Sequence, residues 1–306
     1  MPTTFVSAKE LTAVVPAGTI APSTVYYVSV NTRGSAGGLS DPIPVSTGPT
    51  IYPNGLENAA GPVSVTNDSP TNSFAVGLAP GTFTALFGSQ LASATTVATA
   101  PFPVSLGGVK VLVNGTPAPV YFVFTSQIDF VMPWETSGTQ ASIQVVTSAG
   151  ASNTVTAAIQ IAPQIFTTNQ QGSGQGAALI AGTSTIVAPS GAFPGSRPAA
   201  KGEYISIYTT GLGAVTNQPG DGAPATGLSP TAAEPATLIG CAGASGSIGL
   251  CSAPVQFSGL APGFVGLYQV NVQIPSNALS GNQVPLQLSL TGAAGRPSNI
   301  VTIAIQ

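Results

Sequence analysis

Histidine is absent from the 306 residues. Its absence excludes Ser-His-Asp and Cys-His nucleophilic centres, histidine acid/base chemistry, and His-ligated zinc, copper and non-haem iron. Charge is scarce as well: charged residues make up 5% of the chain, against about a quarter of an ordinary soluble domain. Only Lys9, Arg33, Lys110, Arg197, Lys201 and Arg296 are basic, and they lie far apart. No basic stripe can form to neutralise phosphates, so neither nucleic acid nor an anionic membrane surface is an expected partner. No apolar run reaches about 18 residues, so no membrane insertion is expected. The opening stretch from Met1 to Glu10 has neither a basic n-region nor an apolar h-region. An export signal is therefore expected upstream of it, or by another route.

What is present points to strands and turns. Hydrophobic residues make up 43% of the chain, and 37 glycines and 28 prolines are spread along it, as turn punctuation between many short strands should be. A surface this poor in charge relies on Ser, Thr, Asn and Gln for solubility, or on cover from other chains. The only cysteines, Cys241 and Cys251, bracket Ala-Gly-Ala-Ser-Gly-Ser-Ile-Gly-Leu. That small, flexible interval suits a loop or hairpin closed by a disulfide, and this reading is favoured over a pair of inert thiols. Two sulfurs are too few ligands for a metal site, and no metal or cofactor is expected.

An internal repeat organises the chain. Lys9–Pro16, Ser126–Pro133 and Tyr268–Pro275 each read as a strand with one largely apolar face, ended by a proline that cannot donate to a ladder. In this alignment Leu11, Ile128 and Val270 are equivalent and expected to be buried, with Thr12, Asp129 and Asn271 on the other face. Each copy continues through a further strand and a turn to a small polar pair: Ser40-Asp41, Ser152-Asn153, Ser298-Asn299. The second and third copies also share a front half, in which Pro49–Tyr52 matches Pro163–Phe166 and Gly81–Leu91 matches Gly202–Leu212. Asn114-Gly115 signals a hairpin from Val111–Val113 to Val120–Phe122, with a loop longer than two residues. The first copy lacks its front half, so residues 1–48 supply about three strands of a six- or seven-stranded module. Something must cover the edge that this leaves open.

Two stretches carry a resemblance to known families. Phe5–Pro16 followed by Val28-Ser29-Val30-Asn31 resembles the second half of an immunoglobulin-like IPT/TIG domain. Residues 49–306 resemble the uncharacterised C-terminal module of large secreted acidobacterial (Solibacter-type) proteins. The motifs are Thr209-Thr210-Gly211-Leu212-Gly213, Pro219-Gly220-Asp221-Gly222, and Phe257 to Asn271, together with Gln127–Phe130 and Pro133-Trp134-Glu135. The resemblance implies an extracellular sandwich array and brings no catalytic residues with it. The Cys241–Cys251 segment stands where relatives have a short Gly-Gly turn.

Paired carboxylates are the one catalytic device left open. Asp129 and Glu135 are close in sequence, yet the repeat places Thr12 and Asn271 in the slot of Asp129, which reads as a hydrogen-bonding position of the module. Asp221 between glycines marks a tight turn, since calcium needs about six to eight oxygens. Trp134, the sole tryptophan, either stacks on a sugar ring or plugs the junction between modules, the junction being favoured. The expected fold is all-β, a set of tandem immunoglobulin-like β-sandwich modules with the first incomplete. Its expected parts are a partial IPT/TIG-like unit at 1–48, a sandwich at 49–162, and a sandwich with the disulfide loop at 163–306. The expected role is non-enzymatic: an extracellular or cell-surface structural segment, either a stalk or a self-assembling fibre subunit. Residues 1–48 would then be completed by a homo-oligomeric or polymeric partner through strand complementation. The alternative role is a glycan- or surface-binding adhesion module.

Overall fold

The computed structural model describes residues 3–7, 10–16, 19, 26–31, 38, 40, 43–45, 48–61, 77–242, 248–290 and 296–306. The fold is all-β, with two complete antiparallel sandwiches in tandem and an incomplete unit before them. No helix occurs among the described residues, and so none is long and apolar enough to cross a membrane.

The first complete sandwich packs two sheets face to face. One runs Thr50–Asn58, Phe83–Ser89, Gln127–Val131, Val120–Val123, Thr96–Val97 in spatial order. The other runs Gly150–Ala151, Gln140–Thr147, Lys110–Val113, Thr116–Pro117, with Val155–Ala158 also on Gln140–Thr147. Alternation decides the core: Ile128 and Phe130 of Gln127–Val131, Val111 and Val113 of Lys110–Val113, and Ile143 and Val145 of Gln140–Thr147 are all buried. The core of this sandwich extends from Ile51 to Ala162.

The second sandwich repeats the plan. Its first sheet runs Gln164–Ile165, Tyr204–Thr210, Tyr268–Gln273, Val255–Leu260, with Ala178–Ile180 also on Tyr204–Thr210. Ile248–Ala253, Ala236–Ala242, Gly281–Ser289 and Val301–Ile305 form the second sheet. A separate core runs from Ile165 to Ile305. Val270 and Ile128 are both fully buried, as their shared repeat position requires.

The small polar pairs explain why the repeat retains them. Ser152 Oγ accepts from the Val145 amide at 2.9 Å, and Asn153 grips the backbone of Ile51 from both sides, accepting at 2.8 Å and donating at 3.1 Å. Ser298 does the same to Leu288 at 2.9 Å, while Asn299 grips Ile165 at 2.7 and 2.9 Å. Each pair therefore pins the first strand of its sandwich to the last. In the incomplete unit Ser40 makes the corresponding bonds to Val30, whereas Asp41 lies outside the described residues.

Two expectations need correction. The Asn114-Gly115 hairpin is tight: both residues have positive φ (50° and 82°), and the return strand is Thr116–Pro117, with Val113 opposite Thr116. Val120–Val123 belongs instead to the other sheet, beside Gln127–Val131. Leu11 is not buried; it is 46% exposed, beside Phe5 at 71% and Val14 at 76%. Thr3–Ser7 pairs only with Glu10–Ala13, and Tyr26–Val28 only with Ile43–Val45. These two small sheets share no ladder with the sandwiches among the described residues, and Phe5, Leu11 and Val14 stand exposed.

Cys241 and Cys251 are bonded, with Cα atoms 5.8 Å apart. Ala236–Ala242 and Ile248–Ala253 form a hairpin in which Cys241 lies opposite Gly249 and Cys251 opposite Ile239, so the bridge runs diagonally across the ladder. Cys241 is buried.

Candidate functional site at the seam between the sandwiches

The motifs singled out in the sequence converge on one place, the seam where the two sandwiches meet. Thr210 stands at the end of Tyr204–Thr210 and is fully buried. Its Oγ accepts from the Phe83 amide of the other sandwich at 2.9 Å and donates to the Gly266 carbonyl at 2.8 Å. Gly211 has a φ of +87°, and a Cβ there would run into the Ala162 carbonyl oxygen and Asn58 Nδ2. Asn58, itself buried, donates to that same Ala162 carbonyl at 3.2 Å. The Phe102 amide donates to Gly222 at 2.8 Å, and Gly222, also at positive φ, leaves no room for a Cβ against Phe102.

Asp221 and Trp134 meet here as well. The Trp134 amide donates to Asp221 Oδ1 at 2.9 Å, and its ring packs on the core of the second sandwich. A Cβ on Gly81 (φ +76°) would collide with that ring and with the Tyr268 hydroxyl. Tyr268 is fully buried, donates to the Gly213 carbonyl at 2.6 Å, and has its hydroxyl pKa pushed up by burial. Trp134 thus sits at the module junction, and Asp221 serves as an acceptor that fixes it. Among the described residues no three His, Cys, Asp or Glu side chains come together as a metal site.

Asp129 and Glu135 do not meet. Glu135 lines a small hollow beside Asn114 and Thr136, while Asp129 lines a different one. The carboxylate that shares the face of Asp129 is Glu57, which the sequence reading missed. In the ladder Glu57 and Asp129 both lie opposite Ala85, one on each side of it. They are two strand spacings apart, about 9–10 Å between backbones. Both point into a cleft of about 420 Å³ between the sandwiches. Phe83, Phe87 and Gln127 line it from the first sandwich, and Phe166, Thr167 and Gln170 from the second.

Gln127 Nε2 donates to Asp129 Oδ1 at 2.8 Å. Burial outweighs that bond and lifts the Asp129 carboxyl to about 6; burial also raises Glu57. The second sandwich offers an internal control. Gln269 donates to Asn271 Oδ1 at 2.8 Å in the equivalent slot, so the hydrogen bond belongs to the module. There, however, Leu179 stands opposite Ser206 where Glu57 stands opposite Ala85. The frame is shared; the two negative charges are peculiar to the first sandwich.

A second, apolar hollow of about 260 Å³ adjoins the cleft and shares Phe83 and Phe166 with it. Phe83, Phe102 and Tyr121 cluster in it with centroids 5.1–6.4 Å apart, and Phe264, 58% exposed, also lines it.

No protein-family model and no curated protein matches the chain. Among solved structures it is similar to SGBP-B of the Bacteroides ovatus mixed-linkage glucan utilization locus, solved in complex with a mixed-linkage heptasaccharide. The identity is 12% and the TM-score 0.35, over 93% of this chain and 55% of that one. It is also similar to the I9–I11 tandem of titin, at 10% identity and a TM-score of 0.18, over 75% of this chain and 62% of that one. The chain thus spans between half and two thirds of either structure's length.

Proposed function

We propose that the chain is a surface-displayed segment of an exported protein, a stiff pair of sandwiches that holds or spaces and performs no catalysis. The observation that carries this reading is the seam, where Thr210, Gly211, Asp221, Gly222 and Trp134 are all engaged in joining one sandwich to the other. A joint built from hydrogen bonds that cross from one sandwich to the other and from close backbone approach restricts the hinge motion that a plain linker would allow. The Cys241–Cys251 bridge suits an oxidising compartment, and the resemblance to the Solibacter-type module fits the same location. Immunogold labelling of intact cells tests it, together with protease shaving: antigen on the surface or in the medium supports the reading, and antigen confined to the cell interior refutes it. In the same reading the exposed strands Thr3–Ser7 and Glu10–Ala13 are completed by a second copy of the chain. Sedimentation velocity of the full chain should then show concentration-dependent oligomers, and a monomer at every concentration contradicts this.

A second reading, adhesion to glycan, is favoured by the cleft beside the seam, whose aromatic walls and two carboxylates are features of a binding surface. Retardation of the purified chain in polysaccharide gels tests it.

A further inference from the structure

We infer that the groove along the seam is a saccharide site, taking a neutral oligosaccharide whose ring faces lie on Phe83, Phe87 and Phe166 and whose hydroxyls donate to Glu57 and Asp129. The inference rests on the adhesion reading above and gives it a place and a ligand class.

The lining supplies acceptors without matching donors of charge. The Glu57 carboxylate has no hydrogen bond or ion pair among the described residues, and the Asp129 carboxylate receives only Gln127, on one oxygen. Among the described residues no Lys or Arg lines the cleft. An ionised carboxylate can only accept, so an occupant must bring its own donors. The aromatic rings ask for something else: flat apolar surface, which Phe cannot complement with any polar handle of its own. A pyranose meets both demands, with hydroxyls around its rim and C–H bonds across its face. The apolar hollow beyond Phe83 and Phe166 continues the same wall, which suits a chain of rings rather than a single one.

The internal repeat shows that the fold does not require this arrangement. Asn271 fills the slot of Asp129 with the same glutamine bond, and Leu179 fills that of Glu57. Two uncompensated carboxylates near the seam are therefore a local addition, made where burial opposes their ionisation. Groups kept against a folding cost are candidates for binding.

The test uses affinity electrophoresis of the full chain in gels containing mixed-linkage β-glucan, xyloglucan, galactomannan or dextran, followed by calorimetry with oligosaccharides of the retarding polymer. The variants are Phe166→Ala, the double variant Glu57→Gln with Asp129→Asn, and the control Tyr204→Ala, which lies on the equivalent face of the second sandwich. Thermal melts establish that each is folded. We expect about tenfold or greater weakening for the first two, the loss of one ring contact or of charge-assisted bonds, and none for Tyr204→Ala. Retardation that both groove variants leave unchanged overturns the site while the adhesion reading survives. No retardation in any gel overturns both. Binding of poly-lysine without any saccharide binding overturns the ligand class. If Phe166→Ala fails to fold, the double carboxylate variant decides alone, because its neutral counterpart already stands in the second sandwich.

Discussion

Asp129→Asn should stabilise the protein at neutral pH, an unusual expectation for a half-buried position. The Asp129 carboxyl has a folded pKa of about 6, against about 3.9 in an unfolded chain. The folded state therefore holds a proton that the unfolded state has released, across roughly pH 4 to 6. Stability from this group is full below the unfolded pKa and falls as pH rises through the folded one. About two pH units correspond to at most about 3 kcal/mol, and partial solvation reduces this to on the order of 1–2 kcal/mol. Asparagine keeps the acceptor for Gln127 and removes the charge, as Asn271 does beneath Gln269. Glu57 is shifted the same way, and Glu203, lowered by its bond to Arg197, contributes in the opposite direction. The readout is therefore the difference between variant and wild type in urea unfolding, followed by Trp134 fluorescence at about pH 3.5, 5, 6 and 7.5. The two curves should converge at the acid end and separate by about 1–2 kcal/mol at neutral pH, with the variant more stable. A variant less stable than wild type at neutral pH would refute the assignment of burial as the governing effect.

Reduction of the Cys241–Cys251 bridge should cost about 2–3 kcal/mol on the chain-entropy argument, seen as a lower melting temperature with reductant; an unchanged melt would mean that the hairpin ladder alone constrains the loop. Asn299→Ala should destabilise by roughly 2–4 kcal/mol, because it removes the two-sided grip on Ile165 and a further bond to Gly172. Asn153→Ala, which grips only Ile51, should cost less in the same denaturation assay; equal costs would undo the clamp argument.

The strands of the repeat and their buried faces were legible because period-2 alternation in Gln127–Val131 and Tyr268–Gln273 maps directly onto burial. Ser152-Asn153 and Ser298-Asn299 were visible as repeats, but their partners Ile51 and Ile165 lie more than 100 residues away, so the clamp was not. The same distance hid the seam. Thr210 and Asp221 read as family motif and tight turn, since nothing local says that they hold Phe83 and Trp134. Glu57 escaped because its strand carries an irregularity between Ile51 and Leu56, which breaks the alternation that would have assigned its face. Leu11 failed for the opposite reason: its pattern is apolar, yet its side chain is 46% exposed, because alternation sets a strand's apolar face and does not itself cover it.

The joining of the two sandwiches into one unit is the central claim, and calorimetry of the full chain tests it most directly. If the seam of Thr210, Gly211, Trp134 and Asp221 couples the two cores, they should unfold together, in one endotherm whose van't Hoff and calorimetric enthalpies agree. Gly81→Ala, which forces a Cβ into the Trp134 ring, should split it in two. Two resolved endotherms in the unaltered protein, each matching one core, would contradict the account.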